Sequence, residues 1–263
     1  GGEDFVSLYL QMARALAPEN DFVLVQLAEA AERAEDAAAA IEYYAQVPDA
    51  SPLKRASDMQ YALNLADLDR NDEAITRLQA LTDAKPDDMR AYLALGGVHG
   101  AKDDYASAAK VYDAAVAKLG APQKQDWNLF YQRGIAHERT KVWPKAETDF
   151  RKALELYPDQ PQVLNYLGYS WIDMGINLEE GLTMIRKAVD LRPDDGFIVD
   201  SLGWAYFKLA RYEEAVIEME RAVSLKPEDP VLNDHLGDAY WRAGRKLEAT
   251  FQWSHARDLK PEA

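Results

Sequence analysis

The chain has no cysteine among its 263 residues, which rules out a disulfide framework, a thiolate zinc site and a thiol nucleophile. That absence does not separate cytosol from periplasm. Basic side chains are scarce beside acidic ones: 30 Lys and Arg against 45 Asp and Glu, a formal charge of −15. Such a surface repels a phosphate backbone over most of its area, so nucleic acid is not the expected partner. Long apolar runs are missing too. No stretch of eighteen residues is uncharged, so nothing reads as a transmembrane segment, and residues 1–20 lack the basic-then-apolar order of a signal peptide. What is present is 48% hydrophobic and 29% charged residues, the composition of a chain that folds around a core.

Self-similarity is the strongest positive signal. Leu167-Gly168 with Trp171, Leu202-Gly203 with Tyr206 and Leu236-Gly237 with Tyr240 recur 35 and then 34 residues apart. Each is followed by a small residue (Gly181, Ala215, Ala249), a second one seven further on (Ala188, Ala222, Ala256) and a proline (Pro193, Pro227, Pro261). This is one helical hairpin repeated. Propagated upstream, the register starts repeats at Asp21, Arg55, Met89, Trp127, Pro161, Gly196 and Pro230. A longer turn falls around Gly120–Gln125, and a single insertion near Gly175–Leu178.

These positions resemble the tetratricopeptide repeat, whose pattern is a bulky residue, Leu, Gly, Tyr, Ala, an aromatic, Ala and Pro within 34 residues. The resemblance covers essentially the whole chain. It implies an all-α, right-handed superhelical solenoid of antiparallel helix pairs, with seven full repeats after an N-terminal half repeat. Residues 1–20 read as the second helix of a truncated repeat, 21–126 as three repeats in an acidic block, and 127–263 as four repeats in an aromatic-rich block. Hairpins of this kind cannot bury their faces alone and stack on their neighbours. Gly96, Gly134, Gly168, Gly203 and Gly237 let the facing helix approach closely, at about 1 kcal/mol of helix propensity each. The segments Pro86-Asp-Asp88, Pro158-Asp-Gln160, Pro193-Asp-Asp195 and Pro227-Glu-Asp229 stop one helix and place an acidic N-cap before the next.

Residues that look chemical read as structural. Asp67-Leu-Asp-Arg-Asn71 opens like a calcium loop, but Asp72 stands where the loop needs Gly and Leu78 where it needs Glu. His99 and His137 occupy the repeat's aromatic position, and His235 and His255 fall on different helices, so no metal set is expected. The paired acids recur once per repeat instead of converging, and Gly168-Tyr-Ser170 lacks the second glycine of a nucleophile elbow. No catalytic residue, metal or cofactor is expected, and the chain does not read as an enzyme; the alternative is the substrate-recruiting arm of a longer enzyme.

In tetratricopeptide solenoids the first helix of each hairpin lines the concave surface through positions 2, 5, 9, 12 and 13. Carried over, this implies partner-binding residues at Tyr131, at Asn165 and Tyr169, at Asp200, Trp204 and Phe207, and at Asp234, Asp238, Trp241 and Arg242. Composition agrees: residues 127–263 hold 18 of 27 aromatics and all six tryptophans, while residues 1–126 carry −10 of the −15 charge. Aromatics are favoured interface anchors, whereas Trp171, Tyr206, Tyr240 and Trp253 read as core. Position 6 adds Gln26, Gln60, Gln132, Tyr166, Ser201 and His235 as groups able to hydrogen-bond an extended peptide. The lysine and asparagine clamp of chaperone-binding relatives is absent, and with it the case for acidic C-termini. The negative field favours basic partners.

Residues from Leu164 to Pro261 further resemble the C-terminal repeats of large proteobacterial tetratricopeptide lipoproteins, including the outer-membrane adaptor of a periplasmic carboxyl-terminal processing protease. That implies a non-catalytic scaffold that binds a protein or extended peptide, located in the periplasm or otherwise the cytoplasm, with a lipidated cysteine upstream as a possible anchor. No helix lies over Phe5, Leu8 and Tyr9 at one end, nor over Leu247, Phe251 and Trp253 before Lys260-Pro-Glu-Ala263 at the other. Exposed apolar ends are therefore expected, either in a fragment of a longer repeat protein or in one whose ends another chain covers through end-to-end association.

Overall fold

A computed structural model describes residues 2–259, within which there are fifteen α-helices and no strand. Helix α1 (Gly2–Leu16) is followed by α2 (Asp21–Arg33), α3 (Ala37–Ala45), α4 (Lys54–Asp67), α5 (Asn71–Ala84), α6 (Met89–Ala101) and α7 (Tyr105–Lys118). A single 3₁₀ turn at Lys124–Asp126 fills the longer connection, and then come α8 (Trp127–Arg139) and α9 (Trp143–Leu156). The chain continues through α10 (Pro161–Met174), α11 (Leu178–Leu191), α12 (Gly196–Lys208), α13 (Tyr212–Leu225), α14 (Pro230–Arg242) and α15 (Lys246–Leu259). Packing divides into two compact units, Gly1–Asp149 and Phe150–Ala263, with α9 contributing residues to both.

In the first unit α2 packs on α3, α4 on α5 and α6 on α7, while α3 on α4, α5 on α6 and α7 on α8 join one hairpin to the next. Leu65, Leu78 and Leu95 fill one layer of its core, Tyr92, Tyr112 and Leu129 another. The second unit repeats the scheme with α10 on α11, α12 on α13 and α14 on α15. Its first helices also touch in series, α10 with α12 and α12 with α14. One continuous cluster from Leu164 through Ile185, Val199 and Met219 to Leu236 forms the core. Tyr206 and Tyr240 belong to that cluster, and Trp171 is buried as well, as the repeat pattern requires.

Helix starts follow capping chemistry. Asn20, Asp36, Asp88, Asp104, Asp195 and Asp229 each accept a backbone N–H from the first turn of their helix, satisfying donors that otherwise have no partner. The acidic-cap expectation fails after Pro158, where Gln160 is the cap and makes no side-chain cap bond; Pro161 at N1 starts that helix through its fixed φ instead. Asp88 does a second job. It is 6% exposed and receives Arg90 at 2.9 Å and Arg55 of α4 at 2.8 Å, and the Arg90 hydrogen bond, aided by Arg55 against the cost of burial, holds its carboxyl well below the usual range. The Asp67–Asn71 segment is the end of α4 and the turn into α5, with Asp69 at φ 59°.

The turn inside each hairpin puts one residue in the left-handed region. Glu35, Asp69, Asp103, Lys141 and Ala210 do so at φ 57–64°, and Gly244 at 84°. The single insertion is absorbed by two such residues, Gly175 at 72° and Asn177 at 46°. At the ends, Phe5, Leu8 and Tyr9 are exposed, as are Leu247 and Phe251. Trp253, read from the repeat pattern as core, is only half-buried, its ring 5.6 Å from that of Trp241 and its Nε1 donating to Asp238 at 3.1 Å. Pro261 and the Lys260–Ala263 segment lie outside the described residues.

Helix pairing depends on missing side chains. A Cβ at Gly168 would stand 2.8 Å from the carbonyl oxygen of Gly181, and one at Gly181 would stand 2.9 Å from that of Gly168. Here backbone meets backbone, so neither helix can yield without shifting the pair. At Gly203 the obstacle is the flexible Met219 side chain, at 2.6 Å, and at Gly97 nothing lies within 4 Å. Gly168→Ala is therefore expected to destabilise by about 1–3 kcal/mol through overpacking, Gly203→Ala by less, and Gly97→Ala to stabilise by up to about 1 kcal/mol through helix propensity. Urea midpoints of the three variants check this order.

Candidate functional site

Three first helices of the second unit present matching stripes. Asn165, Tyr169 and Asp173 on α10 are spaced by four, as are Asp200, Trp204 and Lys208 on α12 and Asp234, Asp238 and Arg242 on α14. That spacing keeps each trio along one side of its helix. Contacts across the helices join the stripes: Lys208 Nζ lies 3.4 Å from Asp173, and His235 Nδ1 lies 2.8 Å from Asp200 Oδ2. The Arg242 guanidinium sits 5.8 Å from the Phe207 ring centre and 4.5 Å from that of Tyr212, whose hydroxyl it also hydrogen-bonds.

Trp204 is the centre of this face. Its ring stacks on Phe207 at 5.0 Å and 11°, and on His235 of α14 at 4.6 Å and 26°. Phe207 in turn meets Tyr212 edge-on at 5.6 Å. Such aromatic pairs contribute about 0.5–1.5 kcal/mol each beyond their burial. Trp241, 45% exposed, extends the aromatic surface under the Lys246 ammonium, 5.0 Å away.

Hydrogen-bond satisfaction fails here more than elsewhere. Among the described residues, five buried side-chain polar atoms have no partner, and three belong to this face: Asn165 Oδ1, Asp200 Oδ1 and Trp204 Nε1. Each costs about 1–3 kcal/mol relative to a satisfied group. Burial raises the Asp200 carboxyl, although His235 opposes it. For His235, burial disfavours the imidazolium, but the Asp200 hydrogen bond and the fields of Asp200, Asp238 and Asp234 outweigh it and raise the histidine above its ordinary value. Burial also raises the Tyr169 phenol, helped by Asp173 and Asp200.

Of the residues expected from sequence, Asn165, Tyr169, Asp200, Trp204, Phe207, Asp234, Asp238, Trp241 and Arg242 all lie on α10, α12 and α14. Asp200 is only 6% exposed, so it is held beneath the face by His235. Tyr131 belongs to the first unit, where its ring lies 5.9 Å from Trp127. Two position-6 residues are turned inward: Ser201 donates to the Phe197 carbonyl and His235 pairs with Asp200, because a bond within or between adjacent helices is available without a ligand. Sequence reasoning missed Tyr212, which sits past the repeat's listening positions at the start of α13, and Trp253, whose pattern position reads as core.

The first unit holds a second polar cluster. Arg133 forks onto Asp149 at 2.7 and 3.0 Å and reaches Asp113 at 3.1 Å, with His137 beside both carboxylates, along a cleft of about 340 Å³. The Arg133 guanidinium is fully engaged, which makes this a structural ion network. His137 is 6% exposed and burial lowers its pKa despite Asp149 and Asp113. No group of three or more potential metal ligands occurs among the described residues, and no described helix is long and apolar enough to cross a membrane.

Comparison with known proteins agrees with this architecture. Residues 61–124 and 200–229 match models of the tetratricopeptide repeat. A tetratricopeptide repeat protein from Parabacteroides merdae superposes with a TM-score of 0.69 at 15% identity, over 91% of this chain and 93% of its own. The APC/C hetero-tetramer Cut9-Hcn1 gives 0.72 at 15% identity over 99% of this chain, which spans 50% of that one. YrrB, a tetratricopeptide repeat protein with an unusual peptide-binding site, gives 0.51 at 19% identity over 65% of this chain and 86% of its own. No curated protein matches. Tetratricopeptide repeats are thus present, and the fold is that of tetratricopeptide repeat solenoids.

Buried His137 and half-buried His235 should act on stability with opposite sign. His235 is raised in the folded state, so its contribution is full below the unfolded value of about 6.5 and is lost as pH rises through the folded one. His137 is lowered, so its contribution is present above about 6.5 and is lost on acidification. Thermal unfolding between about pH 5.5 and 8.5 is expected to show a weaker alkaline loss for His235→Gln and a weaker acid loss for His137→Gln, each against the parent chain.

Proposed function

We propose that the chain is a non-catalytic protein-interaction scaffold that holds a protein or extended peptide segment against α10, α12 and α14 of its second unit. The observation that carries this is the coincidence, on one face, of stacked aromatics with three buried polar atoms that have no partner. Two are acceptors and one is a donor, and a peptide backbone supplies both complements. Exposed Trp241 and half-buried Tyr169 add area with few rotatable bonds. The peptide-binding site of YrrB, on the same fold, supports the reading by analogy. The resemblance of Leu164–Pro261 to the repeats of envelope lipoproteins supports a narrower version, in which the scaffold is an adaptor at the bacterial outer membrane that recruits a periplasmic protease or another envelope partner.

A random peptide library displayed on phage and selected on the immobilised chain tests the face. Enriched peptides are expected, with Trp241→Ala and Tyr169→Ala each weakening them by about tenfold or more, since interface aromatics commonly cost about 2 kcal/mol on truncation. Thermal melting confirms that both variants fold. Full affinity in both variants would remove the assignment. Fractionation of cells expressing the natural full-length protein tests the envelope reading, which expects recovery with the outer membrane.

A further inference from the structure

The geometry points to a basic side chain, Lys or Arg, of the bound segment as the group this face recognises, seated on the row Asn165, Asp200 and Asp234. The inference rests on the α10, α12 and α14 face being the binding surface, and it adds the chemistry of the occupant. The three residues hold the same position on successive first helices. All of them offer oxygen acceptors, and the one titratable donor paired with the row is the His235 imidazole, which takes a single Asp200 oxygen.

Two of those acceptors are already desolvated without compensation. Asp200, 6% exposed, gives Oδ2 to His235 and leaves Oδ1 without a donor, and Asn165 Oδ1 is in the same condition. Asp234, the third, makes no ion pair among the described residues. A carboxylate accepts at about four lone-pair sites, so one imidazole leaves most of that capacity unused. A neutral backbone N–H would satisfy Asn165, but a buried carboxylate oxygen gains about twice as much from a charged donor. An anionic group is excluded by the same oxygens.

The rest of the face fits that occupant. Lys208 and Arg242 lie at the far end of the stripes and are engaged, with Asp173 and Tyr212, so within the row only His235 on Asp200 Oδ2 offsets the negative charge, and Asp200 Oδ1, Asn165 Oδ1 and Asp234 are left to an incoming cation. The Trp204 ring is already engaged by Phe207, His235 and the Lys208 ammonium, and Tyr169, on the helix that carries Asn165, offers its ring to the aliphatic stem or guanidinium of the incoming residue. The net charge of −15 draws basic segments towards the protein at low salt.

The peptides enriched on the full chain decide the matter. Lys or Arg at a fixed position is expected, and Asp200→Asn and Asp234→Asn are each expected to weaken those peptides by about tenfold. Replacing the fixed Arg by citrulline, neutral and nearly the same shape, should weaken binding in the parent chain and weaken it less in Asp200→Asn, where Asp234 alone is left to meet the charge. Asp234 is only half-buried, so its variant carries the test even if Asp200→Asn folds poorly. Enriched peptides without a basic residue, or with one insensitive to both variants, overturn this inference while Tyr169→Ala and Trp241→Ala sensitivity keeps the face. No enrichment, or enrichment untouched by all four variants, overturns both.

Discussion

A pair of antiparallel helices has more apolar surface than the pair can hide from water, and each hairpin therefore depends on the next for its stability. That dependence is only as good as the closeness of approach. Where Gly168 and Gly181 meet, two backbones come within contact distance, and the neighbouring side chains Ile172 and Ile185 fill the space on either side. The same demand recurs at Gly96 against Tyr112 and at Gly237 against Trp253. Small residues in the hairpin seam thus let large residues pack at its margins, and the continuous core of the second unit follows from repeating that exchange.

Once the seam is fixed, each helix has a side that hairpin closure does not use. On α10, α12 and α14 that side carries carboxylates, an amide and aromatic rings instead of a uniform solvated surface. The cross-helix contacts there are of a different kind from those in the core: a histidine on an aspartate, a lysine on another, an arginine on a tyrosine. They align the helices at their exposed edge without satisfying every group. A surface selected for stability alone would not bury Asp200 with one oxygen unpaired, since an apolar residue of similar volume avoids that cost.

The repeat register was legible because it is written in glycine, alanine and proline at fixed intervals, and the helices begin and end close to where those residues put them. The core assignment of Trp171, Tyr206 and Tyr240 was legible for the same reason. The details of the face were not. Whether Asp200 stands in solvent or beneath it depends on His235, 35 positions away, and a one-dimensional pattern does not show which of two adjacent residues on α14 turns inward. Trp253 was assigned by its pattern position to the interior, yet the open side of α14 leaves it bridging Asp238 and Trp241. The acidic cap at Gln160 was expected by analogy with its neighbours, and Pro161 makes it unnecessary.

The left-handed residues in the hairpin turns have a further consequence. Glu35, Asp69, Asp103, Lys141 and Ala210 adopt a backbone conformation that costs an L-residue with a side chain about 1 kcal/mol or more, whereas the glycines Gly175 and Gly244 adopt it without that penalty. The turns are therefore bent by the helices they connect, not the reverse. Tolerance follows: turn sequences can drift widely between repeats, and lengths can change, as at Gly175 and Asn177, while the hairpin geometry stays the same. The solenoid can be retuned in stability at its turns, repeat by repeat, without altering the residues on the face of α10, α12 and α14.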